Sequence, residues 1–313
     1  MKDVLLQGSL GHSQIDAVVL KVIQMYENAF PEQIAAYYIE GSYADQTYLL
    51  TSDIDLVIIF HNRFAHEDTR QAAEQLWESN HRGATEVDIT VLDEYSLQEG
   101  VHPGLKLSGR LIYGQDVCSA YPILPMEAWA RDRMYAAYWL LINVYQRPTP
   151  VYLPLSYPSL ADEFYGYTNR TLQLPDGQEV PCTRNLVRTT GWAATALLAL
   201  RARQYAGRKR ECSLLYRTYI GDEWSSLLED IATFCRDKWQ YLVPTESHER
   251  ELLREICERT LYFEQHFLTF YKSYLLEQLH STKQEHVHLA LRLQENSQLC
   301  DGEVTAVVQT LRL

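Results

Sequence analysis

Three acidic side chains on two predicted strands are the residues of this 313-residue chain with the clearest capacity for chemistry. Asp53 and Asp55 open an apolar stretch ending at Phe60, and alternation along a strand places both carboxylates on the same side. Asp88 lies on the polar face of a second alternating stretch, residues 87–92. Carboxylates held close together repel each other unless a cation lies between them, and Mg²⁺ prefers such oxygen ligands. If the two strands are neighbours, the three carboxylates predict a two-metal site for phosphate chemistry.

A Gly-Ser pair precedes the acidic residues, at the predicted junction of a strand and a short helix. Gly41 lets the backbone approach a phosphate closely, and Ser42 is predicted to cap the helix. The backbone N–H groups at a helix start and a serine hydroxyl are suited to the terminal phosphates of a nucleotide. The sequence therefore predicts a phosphate-binding turn followed by metal ligands.

This order of residues resembles the signature of the polymerase-beta-like nucleotidyltransferase superfamily. The resemblance covers about residues 15–117 and consists of Gly41-Ser42, a ten-residue gap, Asp53-Ile54-Asp55, and Asp88 on a later strand. It is most similar to the small bacterial branch that contains the minimal nucleotidyltransferases and the streptomycin/spectinomycin-type aminoglycoside adenylyltransferases. The resemblance implies two Mg²⁺ ions and ATP as the nucleotide donor. It also implies that Asp88, where those adenylyltransferases usually have Glu, binds metal or accepts the proton of the acceptor hydroxyl.

The charge of the chain narrows the choice of partners. The formal net charge is −13, with −11 in residues 1–120 and −2 in residues 121–313. A polymerase or tRNA-tailing enzyme needs basic surface, so we expect no nucleic-acid partner, whereas a small cationic acceptor suits the acidic half. The longest apolar run, residues 192–200, is too short for a membrane span, and the N-terminus lacks the apolar core of a signal peptide. We therefore expect a cytoplasmic protein without a membrane partner, whose six scattered cysteines are buried free thiols.

The order of predicted elements divides the chain at about residue 120. Residues 1–120 are predicted to form an α/β domain, a small mixed sheet with helices that include residues 13–29 and 65–80 and a polar helix after Asp88. Residues 121–313 are predicted to form a helical-bundle domain, which the resemblance implies completes the substrate cleft. Its predicted helices are 126–145, 184–205, 211–220, 222–239 and 247–280, with a short hairpin or ordered loop at 172–181. The last dozen residues carry no clear pattern.

In the aminoglycoside adenylyltransferases, a helical C-terminal domain supplies basic residues to the triphosphate and acidic residues to the antibiotic. The resemblance makes Arg184, Arg188 and Lys209 candidates for nucleotide binding, although the alternative is a helix-face pair and a solvated basic loop. Asp162 and Glu163 are candidates for acceptor amines, or equally for a helix cap.

Two functions from different classes fit these observations. The first is transfer of a nucleoside monophosphate from ATP to a hydroxyl of a small molecule, with an aminoglycoside as the first choice and antibiotic resistance as the consequence. The second is a regulatory or toxin–antitoxin nucleotidyltransferase that adenylylates a protein. Arg259 and His266 lie seven residues apart and loosely resemble the Arg–His ribonuclease motif of such protein partners, but an ordinary core or surface helix is favoured.

Overall fold

The computed structural model describes residues 5–49, 51–80, 86–174 and 177–311, and the side chains of Lys209 and Ser297 lie outside the description. Within these ranges the chain forms two compact units. The first, which we call the sheet unit, comprises the chain up to Pro125 and the segment Ala206–Lys209. The second, the helical unit, comprises Met126–Tyr205 and the chain from Arg210 onward.

The sheet unit is a mixed four-stranded sheet with apolar clusters on both faces. Its elements are α1 (Ser13–Ala29), β1 (Ile34–Glu40), α2 (Gly41–Ala44), β2 (Ile54–Phe60), α3 (Glu67–Asn80), β3 (Val87–Asp93), α4 (Pro103–Ser108) and β4 (Arg110–Gly114). The strand order is β3-β2-β1-β4. β1 is antiparallel to both β2 and β4, whereas β2 and β3 are parallel. The predicted small mixed sheet with helices is therefore confirmed.

Alternation along β2 divides its side chains between the two cores of this unit. Ile54, Leu56 and Ile58 lie in the cluster that contains the buried faces of α1 and α3. Val57 and Ile59 lie in the opposite cluster, which includes a buried residue of α4. Because apolar layers cover both faces, β2 is nearly all hydrophobic after its second residue.

The chain after β3 differs from the expectation of a polar helix. A 3-10 turn at Ser96–Glu99 is followed by the six-residue α4, which begins at Pro103 because proline is compatible with the first turn of a helix. The chain then remains with the sheet beyond residue 120, since the backbone N–H of Val101 donates to Pro122 O (2.8 Å) and that of Leu124 donates to Val101 O (2.8 Å). A functional boundary at residue 120 stays a proposal.

The helical unit contains most of the helices of the described chain. Its elements are α5 (Met126–Asn143), β5 (Val151–Tyr152), β6 (Arg170–Gln173), β7 (Glu179–Cys182), α6 (Arg184–Leu197), α7 (Cys212–Tyr219), α8 (Ser225–Asp230), α9 (Ser247–Leu279), α10 (Gln284–Ser297), β8 (Leu299–Cys300) and α11 (Gly302–Leu311). Short π-helical segments extend α6 to Ala202 and α8 to Lys238. The predicted all-helical character is confirmed for most of the unit, and β6 and β7 form the predicted hairpin.

The C-terminal part of the chain contains elements that its weak sequence pattern does not predict. α10 and α11 follow the long α9, and β8 between them pairs with β5 in a two-stranded parallel ladder. Five cysteines are buried free thiols as expected, but Cys300 in β8 is exposed. No helix among the described residues has the length and apolar character needed to cross a membrane.

A buried ion pair lies in the core of the helical unit. Arg147 Nη2 donates to Glu264 Oε2 at 2.6 Å, and the Tyr167 hydroxyl donates to the same oxygen at 2.8 Å. The two charged side chains are only 4% and 1% exposed. An isolated buried charge destabilises the folded state, so each of the two charged side chains needs the other to remain buried and ionised.

Candidate active site

The register of β2 and β3 brings the three predicted carboxylates together. Asp55 is the second residue of β2 and pairs directly with Asp88 on β3. Asp53 precedes the strand by one residue, so it lies two positions from Asp55 on the same side. Asp53 and Asp55 are partly exposed and Asp88 is exposed. The condition that the sequence left open, that the two acidic strands are neighbours, is met.

The carboxylates are close enough to share a cation. One oxygen from each of Asp53, Asp55 and Asp88 lies within 4.8 Å of the others, and in the described part of the chain this is the group of carboxylate, histidine and cysteine side chains that fits a metal ion. All donors are carboxylate oxygens, which suits a hard divalent cation such as Mg²⁺. Their mutual repulsion supplies a physical reason for a cation to bind there.

Gly41 forms the turn between β1 and α2 and makes room for one of these carboxylates. Its φ is +64°, in the left-handed region that favours glycine. A Cβ atom at Gly41 would meet Asp55 Oδ2 at 2.1 Å and Asp55 Cγ at 3.1 Å. The turn and the acidic strand therefore fit only if residue 41 has no side chain.

The predicted capping role of Ser42 is wrong. α2 begins at Gly41, so Ser42 is its second residue, and the cap position belongs to Glu40, whose side chain makes no capping hydrogen bond. Among the described residues, none forms a hydrogen bond with the Ser42 hydroxyl, while the Ser42 carbonyl accepts from Thr47 N at 2.9 Å. The hydroxyl thus remains available to a ligand, although not for the reason the sequence suggested.

The loop from α2 to β2 is held by local contacts. The rings of Tyr43 and Tyr48 stack with centroids 4.6 Å apart, and Asp45 Oδ1 accepts hydrogen bonds from Thr47 N (3.1 Å) and Thr47 Oγ1 (2.6 Å). Burial raises the pKa of the Tyr43 phenol, and the nearby Tyr48 and Asp53 side chains raise it further. Tyr43 therefore stays neutral and packs in the apolar cluster that also contains Ile54 and Leu56.

The basic candidates for nucleotide binding have different environments. Arg188 is exposed on α6 and forms no ion pair or hydrogen bond with a described residue. Arg184, one turn earlier, is buried, with 9% of its surface exposed. The side chain of Lys209 lies outside the described residues, but its backbone belongs to a segment of the sheet unit in which Gly207 O accepts from Ser108 Oγ at 2.8 Å. Arg188 and Lys209 therefore keep their roles as proposals.

The acidic candidates for the acceptor are engaged within the helical unit. Asp162 Oδ1 accepts from Phe164 N at 2.8 Å and from Gly166 N at 3.0 Å, which closes a turn. Glu163 forms an ion pair with Arg250. These contacts give both residues a structural use.

Arg259 and His266 both contact residues of the segment that ends in α8. Arg259 Nη1 donates to Asp230 Oδ2 at 2.6 Å, and His266 Nε2 lies 3.5 Å from Asp222 Oδ2. Burial lowers the pKa of the His266 imidazole although Asp222 opposes the shift. Such pairing is what helix packing alone requires, so it adds nothing to the ribonuclease resemblance.

Comparison with known proteins identifies the sheet unit. Residues 21–117 match the family model described as polymerase beta, nucleotidyltransferase. The acidic strands and the glycine turn all lie inside this segment. These residues are therefore a nucleotidyltransferase domain of the polymerase-beta family, and the protein is a nucleotidyltransferase.

Two of the solved structures that are similar to the chain differ in size. One is a "putative nucleotidyltransferase" from Sulfolobus solfataricus, which is 24% identical in sequence. The alignment covers 36% of this chain and 95% of that protein, with a TM-score of 0.25. Spectinomycin adenyltransferase AAD(9) from Enterococcus faecialis, solved with ATP and spectinomycin, is 11% identical, covers 79% of this chain and 98% of its own, and has a TM-score of 0.47. A comparison with the curated proteins found no match.

Proposed function

We propose that the protein transfers a nucleoside monophosphate, AMP from ATP, to a hydroxyl group of a small molecule of the aminoglycoside class. The observation that supports this proposal is the convergence of Asp53, Asp55 and Asp88 beside the Gly41 turn, inside a nucleotidyltransferase domain. In such a domain two Mg²⁺ ions would neutralise the triphosphate and lower the pKa of the attacking hydroxyl.

The residues of the site divide this work between them. Asp53, just before β2, and Asp55, its second residue, would hold the cations, and β2 is fixed by strands on both sides. Asp88 is exposed, so an acceptor can reach its carboxylate, which would take the proton of the acceptor hydroxyl. The backbone N–H groups of the glycine turn and the Ser42 hydroxyl bind the phosphates. Arg188 and Lys209 are proposed as further phosphate contacts.

The charge of the sheet unit supports a cationic acceptor. Residues 1–120 carry a formal net charge of −11, which attracts a polyamine sugar and repels a nucleic acid. This favours an aminoglycoside over an RNA end. A protein acceptor is retained as an outcome of the test.

The experiment follows label from α-labelled ATP in the presence of Mg²⁺ into a panel of aminoglycosides and into a cell lysate. The proposal expects label on a small molecule, lost in Asp53→Asn and Asp55→Asn and retained in Asp68→Asn, a carboxylate in the first turn of α3. Label confined to a protein band would replace the small-molecule acceptor by a protein. Equal transfer by wild type and the Asp55→Asn variant would refute the assignment of the site.

A further inference from the structure

A fourth carboxylate, unassigned by the motif, continues the acidic row across the sheet. Glu40 is the last residue of β1 and pairs with Asp55 in the antiparallel register of β1 and β2. Asp55 pairs in turn with Asp88 on β3. Directly paired residues have their side chains on the same face of a sheet, so Glu40, Asp55 and Asp88 form one line on three adjacent strands.

The face on which this line lies is the one covered by α4. Tyr38, two residues before Glu40, and Val57, two residues after Asp55, both belong to the apolar cluster on that face. The line is therefore the polar continuation of this cluster toward the edge where Asp53 lies. The sequence alone does not single out Glu40, because it is one acidic residue at the end of an otherwise apolar strand and is not part of the Gly-Ser and Asp-x-Asp motifs.

The carboxylate of Glu40 is directed to the start of α4. Its Oε1 atom is buried, and it lies 3.0 Å from the position that a Cβ of Gly104 would occupy. His102 Nδ1 lies 3.2 Å from the same position and accepts a hydrogen bond from Gly104 N at 3.2 Å. Gly104 thus leaves the space that the Glu40 carboxylate fills.

Glu40 does not belong to the group of carboxylates that can share one cation, which consists of Asp53, Asp55 and Asp88. A fourth negative charge beside these three increases their repulsion, and it does so next to the phosphate-binding turn, because Glu40 is bonded to Gly41. A carboxylate in this place makes physical sense where a divalent cation binds. Groups around a metal site that do not touch the metal typically contribute about tenfold or more to its affinity. A negative charge among such groups also attracts the cation directly.

We propose that Glu40 is a positioning residue of the cation site, which strengthens cation binding by Asp53, Asp55 and Asp88 through its charge without ligating the metal. The inference rests on the proposed function, because it presumes that these carboxylates bind a divalent cation. Its role differs from theirs, since removal of its charge weakens the site and leaves all three ligands in place.

The test measures binding of Mn²⁺ alone to the full-length protein, without nucleotide, from the electron paramagnetic resonance signal of free Mn²⁺. Glu40→Gln is expected to weaken Mn²⁺ binding about tenfold. Glu74→Gln, which removes the same charge from the exposed surface of α3, is expected to leave binding unchanged. Glu40→Asp retains the charge and is expected to bind Mn²⁺ within about threefold of wild type.

The outcomes separate this inference from the function on which it rests. If wild type binds Mn²⁺ and Glu40→Gln binds it equally well, the role of Glu40 is wrong while the cation site stands. If Glu40→Asp loses as much affinity as Glu40→Gln, the residue acts through its shape, and the inference is again overturned. If wild type binds no Mn²⁺, or Asp53→Asn binds it as well as wild type, the cation site on which this inference rests is wrong, and the label-transfer experiment decides the proposed function separately.

Discussion

The two units of this protein contain opposite arrangements of charged side chains. In the sheet unit, Asp53, Asp55 and Asp88 place like charges together at a partly exposed edge. In the helical unit, Arg147 and Glu264 place opposite charges together in a core where both side chains are almost fully buried. The first arrangement would be completed from outside by a cation, as proposed above, whereas the second is complete within the chain.

This difference indicates which charges serve chemistry and which serve folding. Removing a residue from the acidic edge relieves repulsion, so the fold should tolerate the change while activity is lost. Removing one member of the buried pair leaves an uncompensated charge in the core, so the fold should fail first. Four substitutions, the first with a matched control, test this contrast from the largest expected effect to the smallest.

Asp55→Asn should reduce nucleotidyl transfer roughly a thousandfold or more, because a cation ligand contributes several kcal/mol to the transition state. At the same time it should raise the free energy of unfolding of the metal-free protein by about 1 kcal/mol, since one repelling charge is gone. Label transfer and urea denaturation measure the two effects.

The matched control for that substitution is Asp93→Asn at the other end of β3. Asp93 accepts hydrogen bonds from Ser96 N (2.8 Å) and Phe64 N (3.1 Å), so the variant should lose about 1 kcal/mol of stability and keep its activity. If both variants lost stability equally, the acidic edge would be structural and the contrast between the units would be wrong.

Arg147→Met should lower the free energy of unfolding by about 3–5 kcal/mol at neutral pH, because it leaves the buried Glu264 carboxylate without its partner charge. Tryptophan fluorescence during urea unfolding reports mainly on this unit, which holds five of the six tryptophans. Arg147→Met combined with Glu264→Leu should recover most of the loss. A double variant as unstable as the single one would show that the loss of stability comes from altered packing and not from the unpaired Glu264 charge.

The same variant should depend on pH in a defined direction. Burial already raises the pKa of Glu264 although Arg147 opposes the shift, and loss of Arg147 raises that pKa further. A carboxyl whose pKa is higher in the folded state contributes stability at low pH and loses it as pH rises through the folded pKa. The destabilisation by Arg147→Met should therefore be smaller at about pH 5 than at about pH 7.5.

Gly41→Ala should lower activity about a hundredfold, because a Cβ at this position displaces Asp55, and small displacements at reacting groups have effects of this size. The positive φ adds a loss of about 1–2 kcal/mol in stability. Mn²⁺ binding should weaken in parallel with activity. Unchanged Mn²⁺ affinity would mean that Asp55 adjusts without consequence and that the tight fit is incidental.

Gly191→Ala in the helical unit should have the smallest effect and the opposite sign. Gly191 lies inside α6, and a Cβ there meets nothing within 4 Å. Alanine is the better helix former, so the free energy of unfolding should rise by about 0.5–1 kcal/mol while transfer stays unchanged. A loss of activity would connect α6 to the reaction and make the neighbouring Arg188 a stronger candidate.

The sheet unit could be predicted from sequence because its information is local. Strand alternation indicates the side on which Asp53 and Asp55 lie, whereas the pairing of β2 with β3 is a condition that the sequence leaves open and the fold meets. The capping role of Ser42 was predicted wrongly because the helix starts two residues earlier than a Ser42 cap requires, at a glycine with positive φ that no pattern of side chains reveals.

The helical unit shows why the rest could not be predicted. Helices were found from their apolar periodicity, but the partners of single charged residues depend on packing between distant segments. Glu163 bonds to Arg250 and Arg147 to Glu264, across 87 and 117 residues respectively. Nothing in the sequence around Glu163 indicates Arg250 as its partner, so the sequence alone could not exclude Glu163 as an acceptor ligand.

Because β2 and β3 pair in parallel, the acidic site depends on the exact number of residues in each strand. Asp55 meets Asp88 because the two strands align residue by residue from Ile54 to Phe60. Deleting one residue within β3 would turn Asp88 toward α1 and α3 and leave a hydrophobic side chain opposite Asp55. Changes of length in the connection that contains α3 leave this alignment intact. Insertions and deletions in this gene should therefore accumulate between the two strands and be absent from the strands themselves.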